Sequence, residues 1–468
     1  MTAADTVVPI AAGHGDPIAP VILGVTSILF FAIVGLFVAR RLGQPTVLGE
    51  LLMGILLGNL AYYLDFDLIT LLREGARVFE ITSYVLAGVP VDEAATAIFG
   101  DNSSADVVRI ISGPHGAEIL QVAHIVDVFS RFGVIFMLFM VGLETNVQNI
   151  WETGADSVRV AAIGVVVPFA TGMLVAQLLM PGLPVGTGMF IAATLVATSI
   201  GITSNVLREL GRQQSREGHI ILGAAVGDDV LGLITLAIVS GVVVSGSVQF
   251  LEIVSVALLS ILLLVATFYI GPRFVRFAAR IMARLHVVEA KMFTSYLFVM
   301  VLAWLANLAG LATIIGAFAA GLVLNDTHFD SHTDEAQKTA TVRELIMPLE
   351  VILAPIFFIL IGIQVKIESF ASWNVIIVAS GLLVAAIFGK LVAGFGAGTP
   401  VDKLIVGIGM LPRGEVGLVF AAIGRGLGVF DDALFSAIVL MIIVTTLITP
   451  PLLKLAIERQ KTPSPPSP

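Results

Sequence analysis

The chain has 468 residues, of which 57% are hydrophobic and 13% are charged. Together with a mean hydropathy of +1.01, this composition is typical of a protein that crosses the membrane many times, and it excludes an ordinary soluble domain. The formal net charge is −9 with no basic tract, which excludes a nucleic-acid partner, and the absence of cysteine excludes disulfides, thiolate metal sites and cysteine nucleophiles.

Apolar runs of about twenty residues, the length that spans a bilayer, predict an all-α polytopic membrane protein. The first run is followed by Arg40 and Arg41 and has no basic residue before it, so we interpret it as a retained helix rather than a signal peptide. The thirteen predicted spans are 18–40, 46–64, 125–146, 157–180, 187–210, 215–241, 248–272, 288–309, 311–325, 341–365, 373–397, 401–427 and 431–457.

Lys and Arg residues concentrate in alternate loops, for example Arg208, Arg212 and Arg216 in one loop and four arginines within 273–284 in another. Basic loops tend to remain in the cytoplasm. We therefore predict that the N-terminus is outside and the C-terminus is cytoplasmic. The expected location is the bacterial plasma membrane, or a thylakoid membrane if the source has one.

An internal repeat is visible in two pairs of segments. "TVLGELLMGILLGN" at 46–59 aligns with "TIIGAFAAGLVLND" at 313–326, and "FMVGLETNV" at 139–147 aligns with "ILIGIQVKI" at 359–367. Matched helices are seven apart in the predicted order, an odd number, so the two copies have opposite orientations. Inverted repeats are the architecture of secondary transporters. Glycine contacts between closely packed helices are the alternative explanation.

The matched segments predict two inverted six-helix repeats. The repeats occupy 18–241 and 288–457 and are joined by a linker helix at 248–284. We predict an outer N-terminal tail at 1–17 and a disordered cytoplasmic tail at 458–468.

Extra residues in the first copy lie at 65–124, on the predicted outer side. This insertion has nine acidic and three basic residues. We interpret it as a solvated surface loop with short helices. A funnel that attracts cations is the alternative, but no ligand cluster is evident.

Two of the predicted helices contain residues that favour unwinding. Helix five carries small residues in its middle, namely Thr194, Thr198, Ser199, Gly201, Thr203 and Ser204. Such side chains can satisfy backbone groups that unwinding leaves free, although they also suit a plain helix–helix contact. In helix twelve, the counterpart of helix five, Pro412 removes a backbone donor and is followed by Gly414 and Gly417, so we predict a break there as well.

The charged residues that stand out inside apolar spans are Asp228, Asp229, Lys390 and a pair formed by Arg413 and Glu415. Each charge at mid-depth costs about 2.5–3.5 kcal/mol on insertion scales, so the residues need partners or a function. Neighbouring helix positions point about 100° apart. One aspartate can therefore pair with the lysine, which is a structural salt bridge in the simplest interpretation, while the other faces a cavity and exchanges a proton for Na⁺ or K⁺. The net charge of −1 when all five are ionised favours a cation site.

Several of these segments resemble one family. In order along the chain they are "LGQPTVLGELLMGILLG" at 42–58, "MLFMVGLET" at 137–145, "ATLVATSIGITSNVL" at 193–207, "GDD" at 227–229, Lys390 and "PRGEVGLV" at 412–419. The chain resembles the monovalent cation/proton antiporter-2 family, which includes NapA-like sodium/proton antiporters and KefC-like membrane domains. No nucleotide-binding domain accompanies the resemblance, and only 65–124 departs from the family pattern.

The resemblance implies a secondary antiporter that exchanges Na⁺, or alternatively K⁺ or Li⁺, for protons, with no cofactor. Asp229 would be the ion and proton carrier, with Asp228, Thr198 and Ser199 as further ion-binding residues. Asp228 and Thr198 would be cation ligands together with Asp229, and Asp228 would pair with Lys390. The unwound stretches near Thr198–Ser199 and Gly414–Glu415 would cross beside them. A homodimer is also implied, with helices one to three and eight to ten on the dimer side and the remaining repeat helices as a moving core.

Three other functions are weaker alternatives. An intramembrane aspartyl protease needs aspartates on different helices and a Gly-x-Gly-Asp turn, whereas "AVGDD" at 225–229 has alanine first and adjacent acids. A cation channel is normally built from symmetric filters rather than from one chain with inverted halves. An organic-anion/sodium symporter would leave Lys390 unexplained. We therefore predict a transporter and not an enzyme.

Overall fold

The computed structural model describes most of the chain and forms only helices, turns and short extended links in the described part. The described residues are 16, 18–144, 154–245, 250–281, 287–326, 329 and 340–461. In chain order the α-helices are α1 (Ala19–Arg41), α2 (Thr46–Tyr63), α3 (Asp67–Arg73), α4 (Glu80–Leu86), α5 (Val91–Phe99), α6 (Asp101–Ile111), α7 (Gly116–Glu144), α8 (Gly154–Leu179), α9 (Val185–Thr194), α10 (Ile200–Glu209), α11 (Arg216–Ser245), α12 (Phe250–Ile281), α13 (Val287–Leu308), α14 (Thr313–Val323), α15 (Val342–Ile363), α16 (Trp373–Ala393), α17 (Lys403–Gly409), α18 (Glu415–Gly426) and α19 (Asp432–Lys461).

Within these ranges, ten helices are long and apolar enough to cross a membrane. They are α1, α2, α7, α8, α11, α12, α13, α15, α16 and α19. Two shorter apolar helices, α9 and α14, contain 10 and 11 residues. The prediction of an all-α polytopic membrane protein is confirmed.

The helices pack in two groups. The panel group consists of α1, α2, α7, α13, α14 and α15, in which α15 lies against α2 and α7 while α14 lies between α7 and α13. The core group consists of α8 to α11 and α16 to α19, in which α8 contacts α9, α11 and α16 while α19 contacts α16, α17 and α18. Helix α12 contacts α11 on one side and α13 and α14 on the other.

Glycines of the two aligned segment pairs form close contacts within the panel group. A Cβ placed on Gly54 would lie 3.0 Å from the Cα of Gly362, and one placed on Gly142 would lie 2.9 Å from the Cα of Gly321. Both contacts leave no space for a side chain. The close-packing interpretation of these glycines is therefore correct as geometry, and each contact joins a helix of the first half of the chain to one of the second half.

The insertion forms a packed layer rather than a solvated loop. It contains α3, a 3₁₀ turn at Gly75–Phe79, α4, α5, α6 and the beginning of α7. Leu71, Ala94, Val107 and Ile110 of this layer are buried in one cluster with residues of α1, α7 and α15. The prediction of short helices is correct, and the prediction of solvation is wrong for most of them. Helices α3 and α6 pack onto α7 of the panel group, α5 packs on α6, and only α4 is largely exposed.

Several predicted boundaries shift. The predicted helix three begins nine residues earlier, at Gly116. The predicted tail at 458–468 starts too early, since α19 continues to Lys461. The rest of that tail, 462–468, lies outside the described residues, as does the predicted outer tail except for Asp16.

Candidate ion-binding site

Two broken helices of the core group meet at the centre of the site. The predicted single span at 187–210 is divided into α9 and α10 by residues 195–199, and the one at 401–427 is divided into α17 and α18 by residues 410–414. The two breaks contact each other directly, because the backbone N–H of Ser199 donates to the carbonyl oxygen of Pro412 over 2.8 Å.

The local sequence explains why the chain can break and cross here. Pro412 has no N–H to continue a helix. Gly414 permits the close approach of the two segments, since a Cβ at this position would lie 2.8 Å from the Oγ of Ser199. The break therefore needs a proline to interrupt the helix and a glycine to admit the partner segment.

Buried side chains satisfy the carbonyl groups that the breaks leave free. The hydroxyl of Thr203 donates to the carbonyl of Gly409 over 2.6 Å. The Nη1 of Arg413 donates to the carbonyl of Ala197 over 3.0 Å. These hydroxyl and guanidinium groups replace backbone hydrogen bonds that no water could supply in a membrane.

Arg413 and Glu415 are close in sequence, but the structure does not bring them into an ion pair with each other. Glu415 accepts a hydrogen bond from the hydroxyl of Ser199 over 3.1 Å, whereas Arg413 is directed to the Ala197 carbonyl. The interpretation of Arg413 and Glu415 as a mutual pair is therefore wrong in this conformation.

Asp228 is fully buried and has a full set of partners on one carboxylate oxygen. Lys390 forms an ion pair with its Oδ2, and the hydroxyl of Thr198 lies 2.7 Å from the same atom. Lys390, also fully buried, donates in addition to the carbonyl of Gly164 over 2.9 Å. The lysine charge is thus matched by Asp228, on the helix that also carries Asp229.

Asp229 points away from that pair and into a cavity. Only 2% of the residue is exposed, and its Oδ1, like the Oδ1 of Asp228, has no hydrogen-bond partner among the described residues. The cavity has a volume of about 1060 Å³ and lies between the two helix groups. Its lining includes Met137, Met140, Glu144, Asp156, Ile200, Gln214, Arg216, His219, Asp229, Glu350, Phe358 and Glu415.

The cavity follows α11 from its first turn to its middle. Arg216 is the first residue of α11, and Asp229 follows thirteen residues later, which is about 20 Å along a helix. Gln214, Arg216 and His219 line one end, and Asp229 and Glu415 line the other. The unpartnered carboxylate therefore lies at the inner end of a passage that begins beside the basic 208–216 loop.

Sequence reasoning missed two acidic residues of the membrane region. Glu350 is half-buried and lines the same cavity, and Glu50 is buried in α2. Both lie inside predicted apolar spans, which is the signal that should have identified them. The Gly164 carbonyl that binds Lys390 carried no such signal, because any residue type has a carbonyl.

The two-group fold, the crossed helix breaks and the buried acid site define the chain as a secondary transporter. Residues 107–457 match the transmembrane region of the sodium/hydrogen exchanger family. The chain belongs to the sodium/hydrogen exchanger family. Membership confirms the predictions that the protein is a transporter and not an enzyme, and that it exchanges a monovalent cation for protons.

Individual relatives agree with this family. The chain is 34% identical over 455 residues to the high-affinity Na⁺/H⁺ antiporter NhaS3 of Synechocystis sp., covering 95% of this chain and 91% of that protein. It is 33% identical over 353 residues to the Na⁺/H⁺-K⁺ antiporter GerN of Bacillus cereus, covering 74% of this chain and 87% of that protein. The structure of the sodium proton antiporter MjNhaP1 from Methanocaldococcus jannaschii matches with a TM-score of 0.60 at 15% identity, covering 94% of this chain and 98% of that one. This structural match shows that the fold is shared.

Proposed function

We propose that Asp229 carries the cation and the proton alternately, while Asp228 is the ion-pair partner of Lys390. The observation that carries this assignment is that Asp229 lines the cavity, whereas Asp228 is outside the lining and has its charge matched by Lys390. Among the described residues, the Oδ1 atoms of both aspartates have no hydrogen-bond partner, so the access from the cavity is what distinguishes Asp229. A carboxylate without a fixed partner can bind either H⁺ or Na⁺, and binding of one displaces the other. Asp228, the chain neighbour of Asp229, and Thr198, whose hydroxyl donates to Asp228, are the further cation ligands.

Charged side chains at the helix breaks balance the half-helix ends. Arg413 donates to the carbonyl of Ala197, just beyond the C-terminus of α9, where a helix presents partial negative charge. Glu415 is in the first turn of α18, where a helix presents partial positive charge. Arg413 and Glu415 therefore keep the crossing stable when the cation leaves.

Exchange follows if the core group moves against the panel group with the site occupied. A cation or a proton neutralises Asp229, whereas the empty carboxylate is a net charge that is expensive to carry through an apolar barrier. The empty site therefore returns slowly, so after one ion is delivered the other must bind before the site moves back. The cavity between the groups supports this mechanism, since it gives access to Asp229 from one side.

We further propose a NapA-like member with thirteen spans in two inverted repeats, 18–241 and 288–457, around the 248–284 linker helix. The ten long helices, α14 and the two broken helices would make up these spans, and the equivalent Gly54–Gly362 and Gly142–Gly321 contacts support the inversion. The panel group is the proposed homodimer face and the core group the moving part. The N-terminus is outside, and the C-terminus is cytoplasmic in a bacterial plasma or thylakoid membrane.

Na⁺ is the proposed cation, with K⁺ and Li⁺ as competitors. The relative NhaS3 is named for Na⁺ and the relative GerN for both Na⁺ and K⁺. We expect purified protein in liposomes, preloaded with an acidic interior and a pH-sensitive dye, to release protons when Na⁺ is added outside, and to respond less to K⁺ or not at all. Choline is the control cation. A response to Na⁺ that equals the response to choline contradicts the proposal.

We expect the exchange to be electrogenic, with more protons than cations moved per cycle. Asp228, Asp229 and Lys390 are coupled acid–base groups, so more than one proton can leave when a cation enters. The measurement uses liposomes with known opposing Na⁺ and H⁺ gradients and varies a potassium/valinomycin potential until flux stops. If the potential does not shift this balance point, the exchange is one-for-one and Lys390 has only a structural role.

A further inference from the structure

A second charged cluster lies far from the cavity, where the insertion meets the core group. Its three positive and three negative side chains are Arg73, Glu74, Lys366, Glu368, Arg425 and Asp432. We call these six residues the outer ion-pair cluster. They come from the insertion, from the segment after α15 and from α18 and α19 of the core group.

The outer ion-pair cluster is closely bonded. Lys366 pairs with Glu74 over 2.7 Å and with Asp432 over 2.6 Å. Asp432 also binds Arg425 over 2.7 Å. Arg73, which is 2% exposed, pairs with Glu368 over 2.8 Å. Every charge of the cluster therefore has an opposite partner.

Several of these bonds cross from the core group to the other elements. Arg425, in the last turn of α18, donates to the carbonyl of Arg73 in the insertion over 2.7 Å and to the carbonyl of Gln364 at the end of α15 over 2.8 Å. Asp432, the first residue of α19, binds Lys366 on the segment after α15. Separation of the core group from the insertion and from the segment after α15 must break all three bonds together.

The cluster lies on the opposite side of the proposed carrier from the cavity. Helix α18 begins at Glu415, which lines the cavity, and Arg425 follows ten residues later, about 15 Å along the helix axis. The cavity extends the other way, toward Arg216 and His219. In this conformation Asp229 is reached from one side, and the bonded cluster lies beyond the other end of α18.

We propose that the outer ion-pair cluster is a latch that holds the outer side closed, and that the insertion supplies its fixed half. Breaking it shifts the protein toward the conformation that opens outward. The latch rests on the proposed movement of the core group against the panel group. It assigns a role to the insertion, which the exchange mechanism itself does not use.

The latch can be tested by the accessibility of a buried position beneath it, because the chain has no cysteine of its own. Ser436 is fully buried, and its Oγ accepts a hydrogen bond from the backbone N–H of Lys366 over 3.3 Å. The experiment labels Ser436→Cys with a membrane-impermeant maleimide in intact cells. Ser83→Cys, at an exposed position on α4 of the insertion, serves in parallel to establish that the reagent reaches this side.

Asp432→Asn in the Ser436→Cys protein removes both ion pairs of Asp432 while keeping its volume. We expect labelling to become about tenfold faster, because charge-assisted hydrogen bonds at the closed interface are lost. Lys366→Gln should also accelerate labelling, because it removes the ion pairs of Lys366 with Glu74 and Asp432. Arg109→Gln is the matched control, since Arg109 pairs with Asp67 and Asp106 at the exposed surface and does not contact the core group.

The latch is contradicted if Asp432→Asn and Lys366→Gln, both eluting as folded protein, label at the parent rate, or if Arg109→Gln accelerates labelling equally. Labelling does not depend on transport, so the same comparison in the Asp229→Asn protein separates the two proposals. If Asp432→Asn also accelerates labelling in the Asp229→Asn protein, the latch is supported even if Asp229 is not the carrier. Loss of the labelling effect with intact antiport overturns the latch alone.

Discussion

Asp229→Asn is expected to abolish cation-driven proton movement and to leave a folded protein. The amide has nearly the same volume as the carboxylate, and within the described part of the chain the Oδ1 of Asp229 has no partner that the substitution would break. The amide cannot, however, take up and release a proton as the carboxylate does, so we expect the antiport rate to fall by about 100-fold or more. The measurement is the dye response of proteoliposomes to added Na⁺, with the elution profile of the purified variant as the check on folding.

Asp127→Asn is the matched control for this substitution. Asp127 lies on α7 of the panel group and pairs with Arg131 one turn away over 2.7 Å, outside the cavity lining. Its replacement makes the same chemical change in a membrane helix and should keep the wild-type rate. Wild-type exchange by the purified Asp229→Asn protein would show that another group carries the ion.

Lys390→Ala is expected to destabilise the protein more than any other single change at the site. Its fully buried ammonium group is the ion-pair partner of Asp228, and its removal leaves two neighbouring carboxylates without that cation. Breaking a buried pair from one side costs about 3–5 kcal/mol of unfolding free energy. Asp228→Asn should cost less, because the amide can still accept from Thr198 and the lysine keeps the Gly164 carbonyl.

Thermal melts in detergent give the order of the two variants. Lys390→Met is the useful comparison, because it keeps most of the side-chain volume and so separates the lost charge from the cavity that alanine would create. We expect Lys390→Met to melt between Lys390→Ala and Asp228→Asn. If Asp228→Asn melts at the lowest temperature of the three, the lysine is stabilised mainly by its other contacts and the pairing argument fails.

The residues of the site could be predicted because each violates a rule of the apolar membrane interior. Adjacent aspartates and a lysine in long apolar runs are costly, and a proline beside glycines cannot continue a helix. Those rules identified Asp228, Asp229, Lys390 and Pro412 from the amino-acid sequence alone. The angle between neighbouring helix positions further required that the two aspartates face different surroundings, as they do.

Contacts to backbone groups could not be predicted in the same way. Arg413 binds the carbonyl of Ala197 rather than Glu415, and Lys390 binds the carbonyl of Gly164. A backbone acceptor is available at every position, so only the folded arrangement selects one. The insertion was misjudged for a related reason: the apolar residues of its short helices become a core only when the panel group supplies the opposing surface.

The glycine contacts of the panel group also set the order in which the protein can be assembled. Gly54 can make its contact only after Gly362 has been synthesised, and Gly142 only after Gly321. The two residues of each contact are about 300 and about 180 residues apart along the chain. At a synthesis rate of about 5–20 residues per second, α2 stays in the bilayer for about 15–60 s before α15 exists. Until then its glycine face is covered only by lipid or by another nascent chain, so the first half of the chain depends on the second for its own completion.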